Sequence, residues 1–313
     1  MRGDVVATNR ISEEAASAPG VSRDLKPLAI DSPGDSSPRL TDEQRAAFRR
    51  DGFVLVENLS TAEEIASLRL LYDRLFSERR GWERGDLFDM VGRDDLDKGL
   101  ALPQMLSPSR YEPLLRQSRL YSGAFSIARQ LLGPHAENML EHAIMKPSSS
   151  AAATPWHQDD AFARRGCGFE ESISIWMPLQ DVDVENGCLL YVRGSNHGPL
   201  YPHRSPGNDP RIHGLEVVST PDLTNCVAVP VPAGGAVIHH SRTLHGAGAN
   251  ASDQPRRAYV LGFAVQSQSH KRFARDYPWN LEKITARQER EFQSFPPLKR
   301  LMRRMLHRMR GYS

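Results

Sequence analysis

Apolar residues along this chain follow two rules, and the change falls near residue 137. Before it they recur at helical spacing. In Leu40-Thr41-Asp42-Glu43-Gln44, Thr41 is placed to cap a helix that carries Ala47 and Phe48 and closes at Asp51-Gly52. Phe53-Val54-Leu55-Val56 is an apolar, β-branched run of strand type. Ser60 with Glu63 three residues on has the pattern of a capping box, and Ile65, Leu68, Leu71, Tyr72 and Leu75 then mark one face of a second helix. Residues 81–109 mix Gly, Asp and Arg without a period and are expected as a long loop near the site. A further helix is predicted over 121–132, stopped by Gly133-Pro134.

Beyond that point the chain reads as short strands at 139–146, 173–179, 189–192, 227–231, 236–238 and 258–265. Glu185-Asn186-Gly187-Cys188 gives a hairpin signal between the second and third of them. Several short strands without intervening helices predict a mainly β fold with flanking helices, a jelly roll of the double-stranded β-helix, cupin-like type.

The two ends differ from this body. Residues 1–38 are rich in Ser, Pro, Ala, Gly and Asp with no hydrophobic period, the composition of a disordered leader. The domain is expected over 39–290. Residues 291–313 form a basic amphipathic stretch, expected as a terminal helix that packs Leu298, Leu301, Met302, Met305 and Leu306 on its own domain and leaves its arginines in solvent.

Over the 313 residues the formal net charge is +2, so nothing global calls for a nucleic acid or an acidic partner surface. The three cysteines, Cys167, Cys188 and Cys226, form no CxxC and fit reduced thiols of a cytoplasmic enzyme. No apolar run approaches the roughly 20 residues of a membrane span, so no membrane insertion is expected. Oligomeric state stays open.

The candidate chemistry centres on Thr154-Pro155-Trp156-His157-Gln158-Asp159-Asp160. In extended backbone His157 and Asp159 project to one face, where an imidazole and a carboxylate can meet one divalent metal. A lone His-x-Asp is weak evidence, and a third ligand must come from elsewhere. The best candidate is His245, followed by a run of small residues and then by Arg256-Arg257. Two His and one carboxylate bind one face of Fe(II) and leave positions open for a co-substrate and O2, which reads as an oxygenase. Alternation lets only one of His239 and His240 face inward, and a structural role is expected for that pair. His197 is expected to hydrogen-bond backbone in a turn, while His203 and His213 lie in a loop that could face substrate.

With these residues assembled, the sequence resembles the phytanoyl-CoA dioxygenase family of Fe(II)- and 2-oxoglutarate-dependent oxygenases over about residues 40–273. The blocks that carry the resemblance are Leu40-Thr41-Asp42-Glu43-Gln44 with Asp51-Gly52-Phe53, Trp156-His157-Gln158-Asp159, Glu185-Asn186-Gly187-Cys188-Leu189 leading to Gly194-Ser195-Asn196-His197, and His245-Gly246 through Gly248, Asn250 and Ser252 to Arg256-Arg257-Ala258. The resemblance implies that His157, Asp159 and His245 hold the metal. It also implies that Arg256, eleven positions after the last ligand (256 − 245), salt-bridges the distal carboxylate of 2-oxoglutarate. Arg257, one position out of phase, should face away.

Where the family often has a hydroxyl residue two after the last His, this chain has Ala247, so that hydrogen bond is either missing or supplied by Thr243 or Ser252. Arg193 replaces the family's proline in a turn. Lys146 and Trp176 are candidates for contact with the co-substrate, against the alternatives of a surface charge and a core aromatic.

The implied reaction couples decarboxylation of 2-oxoglutarate to succinate and CO2 with hydroxylation, or a related oxidation, of an unactivated C–H. The substrate expected is a small metabolite, such as a secondary-pathway intermediate. The alternatives are an acyl-CoA hydroxylase, a non-oxidative cupin-type metal enzyme and a non-catalytic binding jelly roll. Phe162, Arg164, Arg165, Arg204, Arg211 and His213 are expected at the rim, where they either favour an anionic substrate group or stay solvated loop charges.

Overall fold

Thr41 opens helix α1 (Asp42–Asp51): its hydroxyl accepts from the Gln44 N–H while the Gln44 side chain accepts from the Thr41 N–H. Gly52 ends the helix at φ 85°, a left-handed value that suits glycine. A Cβ there would stand 2.6 Å from the Thr243 hydroxyl oxygen, so the turn is also a point of close approach. The computed structural model describes residues 38–162, 169–219, 221–266, 277–281, 285–297 and 299–300. The expected leader up to residue 37 and the basic tail from 301 on lie outside the described residues, as do Arg164, Arg165, Cys167 and Leu298.

After β1 (Phe53–Val56), helix α2 (Ala62–Ser77) buries Ile65, Leu68, Leu71, Tyr72 and Leu75 as the spacing predicts. Its cap is Thr61, whose extended backbone lets the hydroxyl accept from the Glu64 N–H; the expected cap, Ser60, sits one residue outside and bonds the Glu64 carboxylate.

The segment 81–109 is not the plain loop expected. It contributes β2 (Leu87–Asp89) and β3 (Pro103–Leu106), which pair with each other and extend a sheet. β2 is three residues long and buried throughout, so it shows no alternation for a sequence reading to find. Helix α3 (Arg119–Leu132) follows, capped by Ser118.

The remaining strands are β4 (Glu137–Lys146), β5 (Thr154–His157), β6 (Phe169–Pro178), β7 (Leu189–Val192), β8 (His203–Arg204), β9 (Glu216–Val217), β10 (Cys226–Val229), β11 (Ala236–His240), β12 (His245–Ala247) and β13 (Arg256–Gln266). They form a seven-stranded sheet, β1-β11-β6-β13-β4-β3-β2, a four-stranded sheet, β10-β7-β12-β5, and the pair β8-β9. The pairings are antiparallel, and the two larger sheets make the expected jelly roll.

The turn at Glu185-Asn186-Gly187-Cys188 is real: Asp183 Oδ1 accepts from the Glu185 and Asn186 N–H groups. It is not a hairpin, because β6 pairs with β11 and β13 while β7 pairs with β10 and β12. The turn carries the chain from one sheet to the other, a choice made by tertiary pairing that local turn chemistry does not encode.

Between the sheets lies an apolar layer in which Phe53 and Tyr191 stack at 4.5 Å, with Trp176, Leu189 and Val260 nearby. Outside the large sheet, Tyr72 of α2 meets Tyr259 edge-on at 6.3 Å and Phe125 of α3 meets Phe263 at 5.1 Å. Along β13 alternate residues therefore face opposite layers, with Arg256, Ala258 and Val260 turned inward. After β13 the described residues include α4 (Pro278–Leu281) and α5 (Ala286–Gln293). Among the described residues no helix is long and apolar enough to cross a membrane.

Candidate active site

His157 is the last residue of β5, and His245, the first of β12, stands directly opposite it in the strand pair. Asp159 is not on the strand as expected but opens a 3-10 turn, Asp159–Phe162. It still converges on the histidines because Gln158 turns the other way, its buried amide bonded to the Pro199 and Arg242 carbonyls and to the Tyr201 N–H. One ligand atom from each of the three residues lies within 4.8 Å of the others.

Backbone carbonyls fix both rings. His157 Nδ1–H donates to the Pro155 carbonyl at 2.8 Å and His245 Nδ1–H to the Thr243 carbonyl at 2.9 Å. The lone pair is then left on Nε2, and both Nε2 atoms are 3.6 Å from Asp159 Oδ1. Burial, reinforced by the neighbouring His157, holds His245 well below its ordinary value, so it is neutral and able to ligate. Burial alone would raise the Asp159 carboxyl, but the surrounding His245, His157 and His239 outweigh it and keep the group well below the usual carboxylate range. Two imidazole nitrogens and one carboxylate oxygen facing a shared point are the donor set of a facial Fe(II) site.

The other oxygen of Asp159 is held by the protein. Oδ2 accepts from the Ser174 hydroxyl at 2.5 Å and from His239 Nε2–H at 3.1 Å, and the Tyr191 hydroxyl donates to His239 Nδ1 at 2.9 Å. Of the pair His239 and His240, the first therefore faces inward with a specific task. β11 and β6 place it there, since His239 is paired with Ser174 in the register. His240 faces elsewhere, accepting from the Arg242 N–H, and burial lowers it to about 4.

Arg256 lies on the same cavity as the triad and is only 2% exposed. Among the described residues its Nε has no hydrogen-bond partner and no carboxylate pairs with it, and its guanidinium sits 5.2 Å over the Trp176 ring. Desolvation pulls it to about 10, which still leaves it charged at neutral pH. Arg257 points away, bonded to Asp73 of α2 at 2.6 Å. Trp176 lines the cavity.

Lys146 is the register partner of Arg256 and fully buried, but its ammonium donates to the Gly248 carbonyl and is not part of the cavity wall. Thr243 and Ser252, expected as hydroxyl donors to the co-substrate, are off the cavity. Thr243 donates to the Gly52 carbonyl at 2.8 Å, and Ser252 to Asn250 Oδ1 at 2.7 Å, each stabilising a turn. A hydroxyl not anticipated from sequence stands opposite Ala247 on the neighbouring strand: Thr154, which lines the cavity.

His197 bonds the Arg49 carbonyl, and His203 accepts from the Gln158 N–H, so both stabilise loops. His213 does reach the cavity, stacked near Phe162. Arg193 pairs with Asp51. Of the rim arginines, Arg204 faces Glu216 at 2.8 Å and Arg211 grips Glu289 through two bonds of 2.9 Å.

The boundary expected at 290 falls inside α5, and Arg287, Gln288 and Glu291 of that helix line the cavity. The helix is clasped by arginines: Arg287 donates to the Gly85 carbonyl, while Arg290 bonds the Trp82 and Leu87 carbonyls and lies 3.7 Å over the Trp82 ring.

Residues 48–258 match the sequence model of the family described as phytanoyl-CoA dioxygenase (PhyH). The peroxisomal phytanoyl-CoA dioxygenase of Bos taurus is 28% identical over 242 residues, covering 72% of this chain and 68% of its own. Ectoine dioxygenase of Bordetella parapertussis is 26% identical over 243 residues, covering 71% and 75%. The crystal structure of EvdO2 from Micromonospora carbonacea var. aurantiaca complexed with 2-oxoglutarate superposes with a TM-score of 0.65 at 35% identity, covering 78% of this chain and 98% of that one.

Proposed function

Because the chain belongs to the phytanoyl-CoA dioxygenase family, we propose that its Fe(II) is held by His157, Asp159 and His245 and its 2-oxoglutarate by Arg256. The enzyme is an Fe(II)- and 2-oxoglutarate-dependent dioxygenase acting on a small organic substrate. With O2, the iron supplies oxidation of a substrate C–H coupled to conversion of 2-oxoglutarate to succinate and CO2. The protein's own residues bind, orient and exclude water.

The observation that carries the assignment of the co-substrate is the buried guanidinium of Arg256 without an acid partner among the described residues. A charge is kept inside a protein where something pairs with it, and the distal carboxylate of 2-oxoglutarate matches its planar fork through two parallel bonds. Trp176 supports the back of that fork, and the Thr154 hydroxyl takes the place of the one lost at Ala247. Ser174 and His239 occupy Asp159 Oδ2, leaving Oδ1 directed at the metal.

The cavity of about 450 Å3 must hold both 2-oxoglutarate and substrate, which favours a free small metabolite over a whole acyl-CoA. Arg204 and Arg211 of the expected rim are already paired with glutamates, which argues against their serving an anionic substrate. A cytoplasmic location is supported by the free thiols of Cys188 and Cys226. The test of reaction class is succinate formation that requires Fe(II), 2-oxoglutarate and O2 together; turnover that proceeds without 2-oxoglutarate would return the non-oxidative metal enzyme to favour.

A further inference from the structure

The wall of the cavity formed by β3 and β4 is apolar with two exceptions. Leu106 is paired with His142 in the register and Gln104 with Ile144, so Gln104 and His142 are diagonal neighbours on one face, separated by aliphatic side chains. Both line the cavity. Gln104 is 4% exposed, and neither its Oε1 nor the buried Nε2 atom of His142 has a hydrogen-bond partner among the described residues. Buried polar atoms are nearly always satisfied, and two unsatisfied ones on the same wall of a substrate cavity mark where a ligand completes the bonding. His142 shares the cavity with Asp159 at the metal end and Arg287 of α5. Burial holds it down to about 4, so at neutral pH it is an uncharged imidazole.

Resting on the oxygenase reading above, we infer that Gln104 and His142 are the substrate-recognition pair of this site and select a neutral, hydroxyl-bearing substrate over a carboxylate. The amide oxygen of Gln104 can only accept, so it needs an O–H or N–H from the ligand. A neutral imidazole offers an N–H or a lone pair at Nε2. A substrate hydroxyl meets both demands, donating to Gln104 Oε1 while it accepts from His142. A carboxylate can only accept, so it bonds His142 but leaves Gln104 Oε1 unsatisfied in the amide orientation of the structure. Leu106, Ile144 and Phe162 supply surface for an apolar face of the same molecule. The pair therefore fixes which carbon is presented to the metal end, because the hydroxyl is anchored on the β3–β4 wall.

The test uses the Fe(II)- and 2-oxoglutarate-loaded full chain without oxygen, with cyclohexane-1,2-diol, cyclohexane and cyclohexanecarboxylate as size-matched probes. Binding is read by calorimetry and by perturbation of the visible metal-to-ligand band. The diol should bind at least roughly tenfold more tightly than either other probe, and Gln104→Met or His142→Phe should each remove about tenfold of that affinity, the worth of one uncharged hydrogen bond. Neither variant should lower the Tm, because the atoms removed have no partner among the described residues to lose. A diol that binds no better than cyclohexane, a carboxylate that binds as well as the diol, variants that bind the diol like wild type, or a Tm that falls in both variants would each overturn the inference. Absence of the visible band in wild type would instead remove the oxygenase reading, and this inference with it.

Discussion

His245 faces His157 directly across the β12–β5 pair, ring centroids 4.2 Å apart, with each Nε2 3.6 Å from the same Asp159 oxygen. The metal-binding geometry thus depends on strand register as much as on residue identity, since a slip of one residue would turn either imidazole to the other face.

His157→Ala or His245→Ala should lower bound iron from about one per chain to near zero, since two remaining ligands hold a divalent ion weakly. Metal-free variants should unfold within a few degrees of metal-free wild type, because the site is catalytic in design and open. Metal analysis after dialysis, with thermal unfolding alongside, checks this; full iron occupancy in either variant would remove that residue from the ligand set.

Arg256→Lys keeps the charge and loses the fork. 2-Oxoglutarate affinity should fall by roughly ten- to a hundredfold, the equivalent of about 1–3 kcal/mol for a charge-assisted hydrogen bond, while iron binding stays unchanged. Arg257→Lys disturbs the contacts with Asp73 and the Pro255 carbonyl, both away from the cavity, and should leave 2-oxoglutarate affinity as it was. Calorimetric titration of both variants decides, and sensitivity at Arg257 in place of Arg256 would contradict the assignment.

His239→Phe and Tyr191→Phe break the hydroxyl–imidazole–carboxylate chain that orients Asp159. Iron affinity should drop by about 10–100-fold for His239→Phe and by less for Tyr191→Phe, which leaves the imidazole in place. Competition with a metal chelator measures it. Wild-type affinity in His239→Phe would show that Ser174 alone orients the carboxylate.

Lys146 links charge to stability. Burial, followed by the charge of Arg256, lowers its ammonium from 10.5 to about 7. Between those values the unfolded chain holds more protons than the folded one, so this group makes stability rise with pH, by on the order of 5 kcal/mol over the whole window. Lys146→Met should be the more stable protein near pH 7 and lose that part of the slope. Urea midpoints of metal-free protein at pH values from about 7 to 10 test it; parallel pH profiles for the two proteins would contradict it.

Much of this was legible in the chain. The change from helical spacing to short alternating runs gives the jelly roll, and His157, Asp159 and His245 are placed together as expected. The illegible parts share a cause. β2 is too short and too buried to show a period, and the turn at Gly187 encodes a reversal but not which sheet receives it. Alternation allowed His239 or His240 to face inward, and only the pairing of β11 with β6 puts His239 beside Ser174. Thr154 became visible as a cavity hydroxyl only once β5 was set against Ala247. The helix α5 has little apolar content, its sequence being ARQEREFQ, and reaches the cavity through arginine contacts that no hydrophobic pattern announces.

The most direct test of the central claim is titration of 2-oxoglutarate into the Fe(II)-loaded protein under anaerobic conditions, followed in the visible spectrum. A weak charge-transfer band should grow and saturate at about one equivalent per chain, shift to higher 2-oxoglutarate concentration in Arg256→Lys, and fail to appear in His245→Ala. No band in wild type, or a band of unchanged strength and midpoint in both variants, would contradict the assignment of this cavity as the iron and 2-oxoglutarate site.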